Sequence, residues 1–387
     1  MKITNEGISV KGFLSLGKNI GIKKAKKDFA ILYSEKPCAA AGVFTANKVK
    51  GAPVYVTMNH LKKGIAQAIV VNSGNANVCT GKQGISNAKR IAEMAAYQLS
   101  IPKEHVLVAS TGIIGKQLPM DKFEKGVKGI KSELSGSSDF AEAILTTDTI
   151  KKQVTVIGDG FKISGAAKGS GMISPNMATM LAFLVTDAKM DSKSLKKHLK
   201  IAVDKSFNMV NVDMDTSTSD MALILASGDA GKVNENKFQE VLDAACIELA
   251  KLIAKDGEGA TKLLIVETIN AKTEEDAKKI AKKITMSPLI KCALFGSDPN
   301  WGRILCAIGN SGGNFKENKI KVSINNTLIV ENGIEAKSFN SYKISKLIES
   351  NKTITITVDL GMGKASATAY GCDMSYDYVK INATYTT

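Results

Sequence analysis

An α+β architecture follows from three features of this 387-residue chain. Strand-forming runs gather with one another in the first 80 and the last sixty residues. Helical patterns fall between these groups rather than after every strand, which argues against a doubly wound parallel sheet. The helices carry apolar stripes and the strands carry apolar faces. A layered α-β-β-α sandwich, with helices outside and sheets inside, buries both.

From the N-terminus, Asp28–Tyr33, Pro53–Thr57 and Ala66–Val71 are short β-branched and aromatic runs bounded by turn residues, and each predicts a strand. Helices are expected near 86–99 and 139–147, around a strand at His105–Ala109. The clearest helix lies near 235–254, where Phe238, Val241, Leu242, Ala245, Cys246, Leu249, Leu252 and Ile253 recur at offsets of three and four. Thr273-Glu-Glu-Asp276 opens another, with a threonine to cap it and carboxylates at its positive end. Ser287-Pro288 opens a third, with proline where a missing N–H costs nothing. The C-terminal region alternates as strands at Lys319–Ile324, Thr353–Val358, Ala365–Tyr370 and Tyr376–Tyr385, the last running towards the terminal carboxylate.

Composition bounds the function more by exclusion. With 44% hydrophobic and 23% charged residues the chain has an ordinary globular balance. It has no apolar run of membrane-spanning length and no secretory core near Met1, so a cytoplasmic location is expected. Six cysteines without a Cys-x-x-Cys pair, and only His60, His105 and His198, argue against a metal site, and no cofactor is expected. The formal charge of +15 invites a nucleic-acid reading, but Arg90 and Arg303 are the only arginines. Base readout and bidentate phosphate clamping favour arginine over lysine, so neither nucleic acid nor membrane is an expected partner.

The most informative segment is Lys168-Gly-Ser-Gly-Met-Ile-Ser-Pro-Asn-Met-Ala-Thr179, which leads into an apolar run ending at Asp187. A mid-chain threonine is a poor nucleophile because no base adjoins its hydroxyl. Breaking the Ala178–Thr179 bond would place a free α-amine beside that hydroxyl, a one-residue nucleophile and base. Asn72–Asn77 and Ser110–Gly115 each follow an apolar strand, where loops place functional groups. Thr111 offers a hydroxyl and Gly112 an unobstructed N–H, two donors able to hold an oxyanion; the plainer reading is a capped turn. Lys168–Gly171 lacks the Gly-Lys-Ser/Thr ending of a phosphate loop. Asp256–Lys262 reads as a helix end entering a strand, with Glu258 set between two glycines. Asp298–Arg303, which holds the single tryptophan, reads either as a helix start or as a loop supporting a site.

At these residues the whole chain, in order, resembles the ornithine acetyltransferase family, the bifunctional glutamate N-acetyltransferases of arginine biosynthesis. The matched segments include Asn72–Asn77, Ser110–Gly115, Thr146-Thr-Asp148, Lys168–Asp187, Asp215–Thr218, Asp256–Lys262, Asp298–Arg303 and Asn382-Ala383. The resemblance implies a sandwich of the self-cleaving type shared with β-aminopeptidases. It implies cleavage between Ala178 and Thr179 into an α chain, 1–178, and a β chain, 179–387, which together build one catalytic unit. Thr179 would carry acetyl from N2-acetylornithine to glutamate, with Thr111 and Gly112 as the oxyanion hole. Thr147, Lys168, Thr179, Glu258, Asn382 and Thr387 would contact substrate, with Thr146 as the neighbouring choice for Thr147. An oligomer of cleaved heterodimers is implied as well, and acetyl-CoA is a possible second donor. Ser174, Met214, Tyr370 and Thr386 depart from residues common in the family; none is a reacting group. The rival readings are a β-aminopeptidase-like hydrolase of the same architecture and a basic nucleic-acid-binding protein.

Overall fold

The structure, a computed structural model, describes residues 1–136, 139–174 and 180–384. Its strands are β1 (Lys2–Thr4), β2 (Phe13–Lys18), β3 (Phe29–Phe44), β4 (Ile65–Asn75), β5 (Val106–Ile113), β6 (Lys152–Ile157), β7 (Lys162–Lys168), β8 (Leu181–Lys189), β9 (Val210–Asn211), β10 (Met221–Lys232), β11 (Leu263–Ala271), β12 (Lys321–Ile324), β13 (Thr327–Glu331), β14 (Ile334–Glu335), β15 (Thr353–Asp359) and β16 (Ala365–Cys372). Its helices are α1 (Ala52–His60), α2 (Gly81–Leu99), α3 (Met120–Gly126), α4 (Ile130–Glu133), α5 (Asp139–Ala143), α6 (Ser192–Lys205), α7 (Glu235–Lys255), α8 (Glu274–Met286), α9 (Pro288–Phe295), α10 (Trp301–Gly309), α11 (Ser341–Ser350) and α12 (Tyr376–Thr384). Among the described residues, no helix is long and apolar enough to cross a membrane.

The first sheet has the order β1-β6-β7-β8-β10-β3-β4-β5, with β2 also on β3. Its hinge is the 16-residue β3. The first part of β3 pairs with β2 and β4, and its last residues, Ala39–Phe44, pair with β10. Side-chain alternation shows that the two halves of the sheet face each other. Leu32, Ile69, Val71 and Leu107 from one half share a core with Phe183, Val185, Leu223 and Leu225 from the other. Their alternates Phe29, Ile31, Val70 and Val108 pack under α2 and α3. On the far side Ala182, Leu184 and Ile224 lie against α6 and α7. The result is the expected helix–sheet–sheet–helix stack.

A second sheet, β14-β13-β12-β15-β11-β16-β9, extends the stack beyond what the sequence predicts. Helix α7 packs against β6 and β7 on one side and against β9, β11 and β16 on the other. That double burial explains why Ala250 and Ala254 are buried as well as the stripe read from the sequence, of which Leu252 alone is only half-buried. Ala277, Ile280, Ala281 and Ile284 of α8 join the same core. Thr273 caps α8 as expected and Ser287 caps α9 ahead of the expected Pro288, each hydroxyl accepting a backbone N–H.

Two expected strands are helices. Pro53–Thr57 lies in α1, where proline occupies the first turn and Pro53, Val54, Val56 and Thr57 are buried. The Thr57 hydroxyl donates to Val108 O at 2.7 Å, so packing on β5 overrides β-branched propensity. Tyr376–Thr384 forms α12, and residue 385 lies outside the described residues. β11 pairs along one edge of β16, and β9 takes the other at Tyr370 and Gly371, the end nearest the C-terminal residues. Tyr376 instead stacks edge-on against Phe295 with ring centres 5.5 Å apart. The helix expected at 139–147 stops at Ala143 in α5, because Asp148 captures the Thr146 N–H at 2.9 Å and turns the chain.

The strands around the expected cleavage site come from both sides of it. β7, ending at Lys168, is antiparallel to β8, with Lys168 opposite Leu181. β8 is parallel to β10, which returns to β3. Strands before and after residue 178 are therefore interleaved in one sheet, and a cut between them leaves the ladder intact. We expect cleaved fragments to co-purify under native conditions and to part only in denaturant; native mass measurement of the cleaved protein checks this.

Candidate active site

Parallel pairing of β4 with β5 sets Asn72 against Ser110 and Gly74 against Gly112, so the two polar segments end side by side. The asparagines serve as internal ties. Ser110 Oγ donates to Asn72 Oδ1 at 2.6 Å, Asn72 Nδ2 to Asn75 O at 2.8 Å, and Asn77 Nδ2 to Gly84 O at 2.9 Å. This lattice supports Thr111 and Gly112, which line a cleft of about 170 Å³. Gly112 has φ +129°, and an added Cβ there would strike the backbone of Gly74 and Asn75. No other residue fits that position.

Lys168 enters the cleft from the end of β7, half-buried, and its Nζ donates to Thr111 Oγ1 at 3.1 Å. Burial lowers its ammonium pKa below the ordinary lysine value, against the pull of Asp148, Asp220 and Glu258. The chain then runs from Gly169 towards Met180. Ala178 and Thr179 lie outside the described residues, so the geometry here is that of their flanks. Lys168, Gly171 and Met172 before them and Met180 and Leu181 after them all line the same cleft. The Asp213 carboxylate accepts from the N–H groups of Met172 at 2.6 Å and Ile173 at 2.7 Å. Met221 N–H donates to Met180 O at 3.2 Å. Ser174, one of the departures from the family pattern, is buried.

Glu258 follows the end of α7 and is half-buried against the segment 170–171. Its N–H donates to Ser170 O at 3.0 Å, and an added Cβ on Gly171 would meet its carboxylate. Asn382, carried by α12, donates from Nδ2 to Glu258 Oε2 at 2.9 Å. The helical C-terminus is thus what brings Asn382 to the site, while Thr387 lies outside the described residues. Gly171→Ala is expected to displace Glu258 and raise KM roughly tenfold with a smaller loss of kcat, measured by steady-state kinetics.

Thr146 and Thr147 both line the cleft. Thr146 turns its N–H and its hydroxyl towards Asp148, at 2.9 and 3.4 Å. Among the described residues Thr147 has no side-chain hydrogen bond, which leaves its hydroxyl available to a substrate. Beneath them lies a buried charge network. Lys152 Nζ bridges Asp148 Oδ1 at 2.7 Å and Asp256, while Asp148 also accepts from Gly169 N at 2.7 Å. Burial alone would raise the Asp148 pKa, but Lys152⁺, Lys168⁺ and hydrogen bonds outweigh it and hold the carboxyl far below the ordinary range.

Asp148 and Asp256 lie in segments that the sequence singles out, but Lys152 and its pairing with them do not show there, because nothing local marks a buried ion triad. Ser217, Thr218, Ser219 and Asp220 also line the cleft. Their hydroxyl-rich run is visible in Asp215–Thr218, but nothing in its local pattern signals a role. The Asp298–Arg303 segment proves to be a helix start. Asn300 caps α10, Trp301 Nε1 donates to Glu335 at 3.1 Å, and Arg303 donates to Leu289 O at 2.7 Å. Cys246 is fully buried, and burial pushes its thiol pKa far up. Among the described residues no group of three or more His, Cys, Asp or Glu is placed to hold a metal ion.

With this geometry in view, comparison with known proteins is specific. The model of the ArgJ family matches residues 15–387. The arginine biosynthesis bifunctional protein ArgJ of Listeria monocytogenes serotype 4b is 48% identical over 391 residues, covering 98% of each chain. Its namesake in Caldanaerobacter subterraneus subsp. tengcongensis is 48% identical and covers 97% of each. The solved structure of the Bacillus halodurans arginine biosynthesis bifunctional protein ArgJ aligns with a TM-score of 0.50 at 38% identity. That alignment takes in 51% of this chain and 96% of the solved chain.

Proposed function

The chain belongs to the ArgJ family and is an acyltransferase of arginine biosynthesis; from that premise we propose that it moves acetyl from N2-acetylornithine to glutamate through an acetyl-Thr179 ester. The observation that carries this is the convergence of Thr111, Gly112, Lys168 and Glu258 on the cleft that both flanks of Ala178–Thr179 enter. In the precursor, Thr179 Oγ attacks the Ala178 carbonyl, the Ala178–Thr179 C–N bond breaks to leave an ester and a protonated α-amine on Thr179, and water hydrolyses that ester to leave an α chain of 1–178 and a β chain of 179–387. The coverage of the Bacillus halodurans structure supports this reading, because about half of the present chain accounts for nearly all of the solved one.

After cleavage the Thr179 α-amine, with a reference pKa of about 8, acts as general base for its own hydroxyl. Lys168⁺ in the same cleft favours its neutral form by like-charge repulsion. As Oγ attacks the acetyl carbonyl, negative charge on oxygen is met by the Thr111 hydroxyl and the Gly112 N–H. Lys168, by donating to Thr111 Oγ1, leaves the Thr111 proton free to turn towards that oxygen. Glu258⁻ and Lys168⁺ give the cleft one pole of each sign, as a zwitterionic amino acid requires. Thr147, Asn382 and Thr387 complete the substrate contacts. Ornithine leaves, glutamate enters, and the steps reverse, so ping-pong kinetics are expected. Thr111→Ala should lower kcat by about 10² to 10³ with melting unchanged. Unaltered turnover removes Thr111 from the oxyanion hole.

Acetyl transfer against peptide hydrolysis separates this reading from a β-aminopeptidase-like hydrolase: exchange of acetyl between ornithine and glutamate is expected, amide hydrolysis of peptides is not. Use of acetyl-CoA is the finer part of the proposal, checked by glutamate-dependent release of free thiol. An oligomer of cleaved heterodimers belongs to the same reading and is checked by native mass.

A further inference from the structure

Away from the catalytic cleft, a larger cleft of about 730 Å³ opens between β3, the end of α1 and α6. Its floor is apolar: residues 40–44 of β3 with Leu61. Its rim carries Lys50, Lys62, Lys63, Lys193, Lys196 and Lys200, against a single acid, Asp204. Lys62, Lys63, Lys193, Lys196 and Lys200 are exposed. None of the six lysines is in an ion pair among the described residues, whereas Lys27, Lys152, Lys205, Lys278 and others elsewhere are. Asp204 accepts from Asn208 Nδ2 at 2.7 Å, so the acid is turned to its own helix end.

Six unneutralised ammonium groups around one concavity repel each other and raise the local concentration of anions. Such a face disfavours burial against a second copy of a chain that itself carries +15. Its size and shape are those of a small-molecule site, since such sites hold roughly 300–1,000 Å³, and a concave cleft suits neither a duplex nor a bilayer. Lysine recognises phosphate as a point charge, and an apolar floor accepts a ring or an acyl segment. One end of the cleft adjoins the active site. Its Thr45 donates from N to Asp220 O at 3.0 Å and from Oγ1 to Ser217 O at 2.8 Å, and Ser217 and Asp220 line the catalytic cleft.

We propose that this lysine-rimmed cleft binds an organic polyphosphate of nucleotide size, with its phosphates among Lys193, Lys196 and Lys200 and its apolar part on the β3 floor. Two sources share that chemistry: a free nucleotide, or the nucleotide end of coenzyme A. The site does not depend on the acetyl-transfer reading, because none of its lysines contacts the catalytic cleft.

The test is calorimetric titration of the cleaved wild-type enzyme with ATP and with coenzyme A at low and high salt, repeated on a Lys193→Gln/Lys196→Gln/Lys200→Gln variant. The three side chains are exposed on α6, so folding should be retained, and thermal melting verifies it. Binding of either compound by the wild type is expected, weakening with salt and at least tenfold weaker in the variant. Acetyl exchange between ornithine and glutamate should stay within twofold. If coenzyme A binds and the variant raises KM for acetyl-CoA without changing KM for acetylornithine, the occupant is the coenzyme. If only ATP binds, it is a free nucleotide. Absence of binding of both compounds to the wild type, or equal affinity in the variant, overturns the site. A failed acetyl exchange with intact binding would count against the proposed reaction and leave the cleft standing.

Discussion

Thr179→Ala is expected to remain a single 387-residue chain and to lose acetyl transfer, by a factor on the order of 10⁵ or more, as removal of a catalytic nucleophile commonly does. Two losses share one cause. Without the hydroxyl nothing attacks the Ala178 carbonyl, so the precursor is not cut. Without the cut there is no α-amine at residue 179, and without the hydroxyl no ester can carry acetyl. The fold should survive. Lys168 and Leu181 on either side are paired in the β7–β8 ladder, and Asp213 holds the N–H groups of Met172 and Ile173. Thr179→Ser keeps a hydroxyl and should still cleave. Denaturing electrophoresis and acetyl-exchange rates read both effects, and thermal melting excludes unfolding. A Thr179→Ala protein that divides in two would refute the assignment.

Lys152→Met is expected to destabilise the protein by about 3–5 kcal/mol, the usual result of removing one partner from a buried ion pair. Lys152 is fully buried and neutralises Asp148 and Asp256 together. Its loss leaves two buried carboxylates without their shared cation. The damage should reach the site, because Asp148 holds Gly169 and Thr146, while Asp256 accepts from the N–H of Thr149 at 3.0 Å and, through its backbone carbonyl, from Ser170 Oγ at 2.6 Å. KM should rise along with the fall in melting temperature. A melting temperature equal to wild type would show that the triad is dispensable. The same network predicts acid sensitivity. The Asp148 pKa is depressed in the folded state, so its stabilising contribution is complete above the unfolded carboxylate value of 3.8. It is lost as pH falls from there towards the lower folded value, and denaturant titrations at pH 7 and below pH 4 measure the difference.

The sequence revealed the sandwich through patterns that depend on local burial. The stripe of α7, the Thr273 cap and the apolar runs of β4 and β5, buried on both faces, each follow from what their own residues dictate. It misled at Pro53–Thr57 and Tyr376–Thr384, where β-branched and aromatic residues fit equally well on a helix packed against neighbouring elements. At the site, Thr111 and Gly112, named for chemical type, and Lys168, Glu258 and Asn382, named through the family resemblance, all line one cleft. The ion triad beneath it joins residues 148, 152 and 256, and no local spacing signals a partnership across a hundred positions. The lysine cleft was hidden for the opposite reason. Its lysines are scattered along the chain like any solvated face, and only folding gathers them.

The proposed mechanism requires one residue to supply both nucleophile and base, with the chain cut in front of it. Intact-mass analysis of freshly purified, fully active wild-type protein, with sequencing of each N-terminus, tests it most directly. Two polypeptides are expected, the second beginning at Thr179. A single uncut polypeptide carrying full acetyl-exchange activity would contradict it.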